Sequence, residues 1–248
     1  AMKDRQDAVE FQCSPIEHQI FQQRTNGYVN AQITPSWILH TPEKFKSPGI
    51  VKISINHTNA QFIQQYKNQR FLLTYDVKSE MFYYISNLIH IQKLQYFAVV
   101  KVLPLFQQRF PFLVPDKITK PQFHILLHNF RGFRDQYIRP RLLLSKKGVN
   151  DRFLRAIYEL RVTMNNLPFF LGIPIFNTNA FNSFCIEWQV ELFYFMKCHN
   201  LNPKTMNQKA IPYFFEWSGM EQTNDRNLEV LHYLKILRML NIRQVHEN

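Results

Sequence analysis

The sequence predicts an α+β protein, with a small β-containing N-terminal part (a barrel or a mixed sheet) followed by a helical C-terminal part. Two observations predict this. Before residue 110 the apolar residues alternate or fall in short blocks, whereas after it they recur at three- and four-residue spacing. Between the two, Phe110-Pro111-Phe112-Leu113-Val114-Pro115 reads as an extended linker, because residues before proline avoid the α region. The expected divisions are a flexible tail over residues 1–14, a mixed β-rich domain over 15–115 and a helical domain over 116–248.

Taken in order, the polar residues 1–14 give no periodic signal. Pro15 to Arg24 opens a short helix, with Ile16, Ile20 and Phe21 near one face, and Thr25-Asn26-Gly27 signals a turn. Tyr28 to Ile33 alternates loosely. Val51, Ile53 and Ile55 alternate cleanly with Lys52 and Ser54 and predict a strand. Asn59 caps a short helix to about Asn68. Arg70 to Val77 and Tyr96 to Leu105 read as strands, while Ser79 to Leu94 carries both helical and strand spacing.

After the linker, Thr119 with Gln122 three positions on forms a capping box, and Pro121 sits just inside the helix. Arg139-Pro140 should end or kink that helix. Lys146-Lys147-Gly148 is a turn, and Asn150 or Asp151 caps a second helix to about Met164. Leu167 to Asn179 is a loop or strand-like crossing. A long helix is expected from Asn179 to about His199, Pro203 to Ser218 is irregular, and Asp225 to Leu240 is an amphipathic helix.

Composition narrows the class. Hydrophobic residues make up 46% and charged residues 19% of the chain, which is globular and not disordered. No apolar run approaches the ~18–20 residues of a membrane span, and the tract from Tyr96 to Phe106 is interrupted by Lys101 and Pro104. Nothing at the N-terminus resembles a secretory signal. Three widely spaced cysteines (Cys13, Cys185, Cys198) do not make a disulfide framework, so a reducing nuclear or cytoplasmic setting is expected, the nucleus favoured. Six glycines are few for this length, and no glycine-rich loop follows a strand, which argues against P-loop and dinucleotide sites.

The net charge of +12 is concentrated. Residues 120–161 hold ten Lys/Arg against three Asp/Glu, more than half of the excess in about a sixth of the chain. Clustered cations attract phosphates through counterion release. The expected phosphate contacts are Arg131, Arg134, Arg139, Arg141, Lys146, Lys147, Arg152 and Arg155, with arginine suited to bidentate contact. Phe133, Tyr137 and Tyr158 are candidates to stack bases.

Other motifs are incomplete. His124 and His128 stand one helical turn apart, without the Glu or third ligand of a zinc enzyme. Cys198-His199 and Cys185 lack a second ligand pair. Glu187 and Glu191 are one turn apart on an apolar helix, where they read as its narrow solvated stripe or as a docking contact. Asp76-Val77-Lys78 after a strand resembles the acid-x-Lys end of restriction-type nuclease cores. That resemblance implies a second metal-binding carboxylate, for which Glu43 is the upstream candidate. Asn166-Leu167-Pro168-Phe169 resembles the Asn-Pro-Pro-aromatic loop of amino-methyltransferases over four residues, with Leu at the first proline. No resemblance extends over a useful length of the chain.

The expected function is therefore non-catalytic nucleic-acid binding, DNA or RNA, as a subunit of a larger nuclear or ribonucleoprotein complex. It would have other protein subunits as partners, no membrane, no cofactor and no metal. One alternative is a structural interaction subunit docking through Tyr213, Phe214, Phe215 and Trp217. The other is a metal-dependent nuclease.

Overall fold

The computed structural model describes residues 6–66, 69–110, 112, 115, 117–175 and 180–243. The chain divides into two compact units. The first comprises residues 1–89 with 94–126, and the second residues 90–93 with 127–248. The α+β class is as the sequence predicts, with a mixed sheet in the N-terminal part and helices in the C-terminal part.

The first unit is built on β1 (Gln6–Gln12), α1 (His18–Asn30), β2 (Ile33–His40), β3 (Gly49–Ser54), the short α2 (His57–Ala60), β4 (Gln64–Tyr66), β5 (Gln69–Asp76), β6 (Met81–Gln92) and β7 (Gln95–Pro104). The sheet order is β1-β2-β5-β6-β7-β3, with β4 also paired to β5. β1 and β2 are parallel in a register running from Gln6↔Ile33 to Gln12↔Leu39, so α1 is the crossover between them. β2 joins β5 in parallel at Leu39↔Thr74 and His40↔Tyr75. β5–β6, β3–β7 and β4–β5 are antiparallel.

Period-two alternation gives this sheet two apolar faces. Trp37, Leu39, Leu72, Tyr83, Ile85 and Ala98 lie in one cluster, closed by Phe62 and by Phe21 of α1. Ile38, Leu73, Phe82 and Tyr84 form the other, with Phe112 packed on it. Burial of both faces is why β6 shows no clean alternation in sequence.

Residues 6–12 thus form an edge strand where a tail was expected. α1 runs through Thr25-Asn26-Gly27, which was expected to turn, and the cap of α2 is Asn56, whose Oδ1 accepts from Asn59 N at 2.8 Å.

α3 (Lys120–Leu144) starts at the predicted capping box. Thr119 N and Oγ1 both lie 3.0 Å from Gln122 Oε1. It continues through Pro140 instead of ending there. α4 (Arg152–Glu159) is capped by Asp151, which accepts from Leu154 N at 3.2 Å. α5 (Cys185–Cys198) is the central helix of the second unit, buried on nearly every side. Its expected start at Asn179 lies outside the described residues, as do Pro111, Leu113 and Val114 of the expected linker. α6 (Ile211–Ser218) replaces the expected irregular segment and ends at Gly219 in the left-handed region (φ 66°). α7 (Asn224–Met239) buries Val230, Tyr233, Leu234 and Leu237.

Around α5, Trp188 stacks on Phe181 at 4.8 Å and meets the edge of Tyr233 at 5.2 Å, and Tyr233 donates to the Phe170 carbonyl at 2.8 Å. The buried Gln189 amide accepts from Gly172 N (2.7 Å) and Ile173 N (3.1 Å) and donates to Ile173 O (2.8 Å), tying down the loop before α5.

Candidate functional site

β1 carries the least expected polar cluster. Glu10 and Gln12, two residues apart, share one face of the strand, and Glu10 is in register with Trp37. α1 crosses that face. Arg24 Nη2 donates to Glu10 Oε2 at 2.5 Å, and the Tyr28 hydroxyl donates to Glu10 Oε1. The Arg24 guanidinium also lies over the Trp37 ring, 5.3 Å from its centroid. The Glu10 side chain is 14% exposed and that of Arg24 is 42% exposed, so an acid held within the fold keeps a cation at the surface. Hydrogen bonding to Glu10 raises the Tyr28 phenol above its ordinary range.

The acids singled out from the sequence meet elsewhere in the same unit. Lys46 Nζ lies 2.8 Å from Glu43 Oε2 and 3.1 Å from Asp76 Oδ2, and Ser79 Oγ donates to Asp76 at 2.7 Å. Asp76 ends β5, with Val77 and Lys78 exposed in the turn that follows. An ammonium thus stands between the two carboxylates that the acid-x-Lys resemblance would assign to a metal.

The fit to a divalent cation can be tested on these groups. Such an ion needs several oxygens free to coordinate it. Glu10 has both oxygens engaged by α1, and Asp76 is engaged by Lys46 and Ser79. Among the described residues no group of three or more His, Cys, Asp or Glu side chains is placed to hold a metal. The arrangement does not fit a bound ion. His124 and His128 are both exposed.

In the second unit the basic stretch separates into three kinds of residue. Arg131, Arg139, Lys146, Lys147, Arg152 and Arg155 are exposed. Arg134 is buried at 7% exposure, with Nη1 donating to Leu171 O at 2.8 Å and Nε to Asp135 at 2.9 Å, so it presents nothing to a phosphate. Arg141 is fully engaged. Its Nη2 pairs with Asp151 Oδ2 at 2.8 Å, its Nη1 with Glu187 and Tyr137, and its guanidinium lies 4.6 Å from the Phe153 ring centroid.

The aromatic candidates divide as well. Phe133 and Tyr137 pack on Phe184 at 5.8 and 5.2 Å, whereas Tyr158 is 73% exposed. Of the expected docking residues, Phe214 and Phe215 are buried, Trp217 is half-buried and Tyr213 is exposed. Glu187 and Glu191 do not form a solvated stripe: Glu187 turns to Arg141, and Glu191 is buried. Sequence reasoning missed Glu10 by placing it in a tail, although Ala8-Val9-Glu10-Phe11-Gln12 alternates and could have revealed it. No helix among the described residues is long and apolar enough to cross a membrane.

Comparison with known proteins bears on this first unit. Residues 1–117 match the family described as "Competence protein CoiA, nuclease-like domain". The chain is similar to "Competence protein CoiA" of Bacillus subtilis (strain 168), 27% identical over 206 residues that cover 79% of this chain and 51% of that protein. The chain thus spans about half the length of the curated relative it matches. No solved structure matches. Two expectations are corrected. A nuclease-like match over residues 1–117 is at odds with a non-catalytic subunit, and a bacterial relative is at odds with a nuclear location. The likeness is to a competence protein with a nuclease-like domain, in keeping with a role connected to nucleic acid.

Proposed function

We propose that the chain acts on nucleic acid as a nuclease-like protein, with Glu10 as the acid on which strand cleavage depends. The observation that carries this reading is the β1–α1 cluster: a partly buried carboxylate inside the matched region, gripping a guanidinium and a phenol. In phosphodiester hydrolysis a water oxygen attacks phosphorus and the bond to the leaving oxygen breaks. Each Glu10 oxygen holds one hydrogen bond from α1 and keeps a second lone pair with which it can take the water's proton, and Arg24, partly exposed, suits the phosphate charge. Tyr28 holds a proton beside the carboxylate. Arg131, Arg139, Lys146, Lys147 and Arg155, all exposed, support the same reading as phosphate contacts of little sequence preference.

The test is cleavage of single- and double-stranded DNA and of RNA by the whole chain, with magnesium, with manganese and with EDTA. Glu10→Gln is expected to lower the rate at least about a hundredfold, with folding checked by circular dichroism. A chain that cuts none of these substrates, or a folded E10Q variant that cuts as fast as its parent, overturns the reading.

A further inference from the structure

The second unit contains a cavity of about 370 Å³ between α4, α5 and α6, lined by Arg152, Arg155, Glu191, Tyr194, Cys198 and Trp217. That volume falls within the ~300–1,000 Å³ of small-molecule sites. Its lining brings together three chemistries. Arg152 and Arg155 are exposed guanidiniums, and Arg155 has no salt-bridge partner among the described residues. Trp217 and Tyr194 form an aromatic wall, their rings edge to face at 5.4 Å. Glu191 is 8% exposed, and its Oε2 is buried without a hydrogen bond.

That last feature is the informative one. A buried carboxylate oxygen without a donor costs folding free energy, and such groups in native proteins call for an explanation. The nearest cation is Arg152 Nε at 3.5 Å, but this arginine is directed elsewhere. Its Nη2 donates to the Trp217 carbonyl at 2.6 Å, and its guanidinium lies over the Trp217 ring at 5.3 Å. Glu191 therefore lines the cavity with its Oε2 shut away from solvent beside Arg152, while Arg155 stands exposed at the rim.

We propose that this cavity binds a nucleoside monophosphate unit. Arg155 receives the phosphate, Tyr194 and the edge of Trp217 the flat base, and Glu191 the exocyclic amino group of cytosine, adenine or guanine. A carboxylate accepts from such amino groups, whereas at uracil or thymine it meets a single N3–H flanked by two carbonyl oxygens that repel it, so the amino bases are preferred. Guanidinium forks match phosphate geometry, and aromatic rings receive any base. The unit is supplied either by a free nucleotide or by the phosphorylated end of a strand. The cavity lies outside residues 1–117 and does not involve Glu10, so nucleotide binding should survive Glu10→Gln.

The experiment is calorimetric titration of the whole chain at low salt and pH 8, where Glu191 is ionised, with CMP, AMP, GMP, UMP and inorganic phosphate. CMP, AMP or GMP is expected to bind at least about tenfold more tightly than inorganic phosphate and than UMP. Arg155→Ala, at an exposed position, is expected to weaken binding about tenfold, and Glu191→Gln to remove the preference over UMP. A trinucleotide with a 5′-phosphate, compared with one without, distinguishes a strand end from a free nucleotide, and saturation by either the phosphorylated trinucleotide or the mononucleotide supports the site. No heat with any nucleotide, equal affinity for inorganic phosphate, or an R155A variant binding like its parent would overturn it.

Discussion

Lys46 Nζ lies 3.1 Å from Asp76 Oδ2, against a carboxylate whose side chain is 4% exposed. The Ser79 hydroxyl and then the Lys46 ammonium hold the Asp76 carboxyl below its usual range. A lowered folded-state pKa contributes stability above the unfolded value, and that contribution is lost as pH falls through the folded one. Asp76→Asn should therefore lower the Tm at pH 7, with the gap to the parent closing below about pH 4. Thermal melts from pH 2 to 7 check this. The same variant should still cleave nucleic acid, because Asp76 belongs to the Lys46 contact and not to the Glu10 cluster.

Glu191 shows the opposite sign. Burial pushes its carboxyl up to about 7 from an ordinary 4.5, opposed by Arg152 and Arg141 and reinforced by Asp151. Arg155, Tyr194 and Cys198 also line the cavity it faces. The folded chain keeps this proton where the unfolded chain has lost it, so stability falls as pH rises from about 4.5 to about 7 and levels off above that. Glu191→Gln should remove this slope. It should be more stable than the parent at pH 8 by at most about 3 kcal/mol and similar to it near pH 4. Urea melts across that range read the difference.

Gly172 sits at φ +74°, where a built Cβ would come within 2.5 Å of Arg134 Cδ. Gly172→Ala therefore meets both backbone strain and a collision with a buried arginine that holds the Leu171 carbonyl. Equilibrium unfolding should register a loss of about 1–3 kcal/mol.

Salt dependence separates the exposed cations from the engaged ones. Replacing Arg131, Arg139, Lys146 or Lys147 singly with Ala should reduce the slope of log K against log salt by about 0.7–0.9 each. Arg134→Ala should leave the slope unchanged and lower the Tm, since its guanidinium is occupied by Leu171 and Asp135. A slope that ignores the four exposed positions would remove them from the interface.

What could be read from the sequence was what is decided locally. β3, β5 and β7, the Thr119–Gln122 box, the Asp151 cap and the span of α7 each rest on residues a few positions apart. What escaped depends on distant partners. β1 is polar and half-buried because it is an edge strand, paired only with β2 some 27 positions on. α1 runs through Gly27 because one glycine costs a helix only about 1 kcal/mol relative to alanine, and β6 loses its alternation by being covered on both faces. The site followed the same rule. The sequence could name Glu43, Asp76, Glu187 and Glu191 as acids of interest. Only the fold shows that Lys46 joins the first pair, that Arg141 takes Glu187, and that Glu191 is left facing a cavity.

The outer margin of β5 is divided, with β4 along its first half and β2 meeting only its last residues, at Leu39↔Thr74 and His40↔Tyr75. β1, α1 and β2 consequently form a leaf joined to β5 by a short main-chain seam, extended by the Thr41 N to Tyr75 O bond at 3.0 Å, and held by the packing of Phe21, Trp37, Ile38 and Leu39. Its amides should exchange with deuterium together and ahead of those in β5 and β6, carrying Glu10, Arg24 and Tyr28 as one rigid group. Glu10 and the two groups that grip it all lie on one side of that seam, so an opening there should leave their contacts intact.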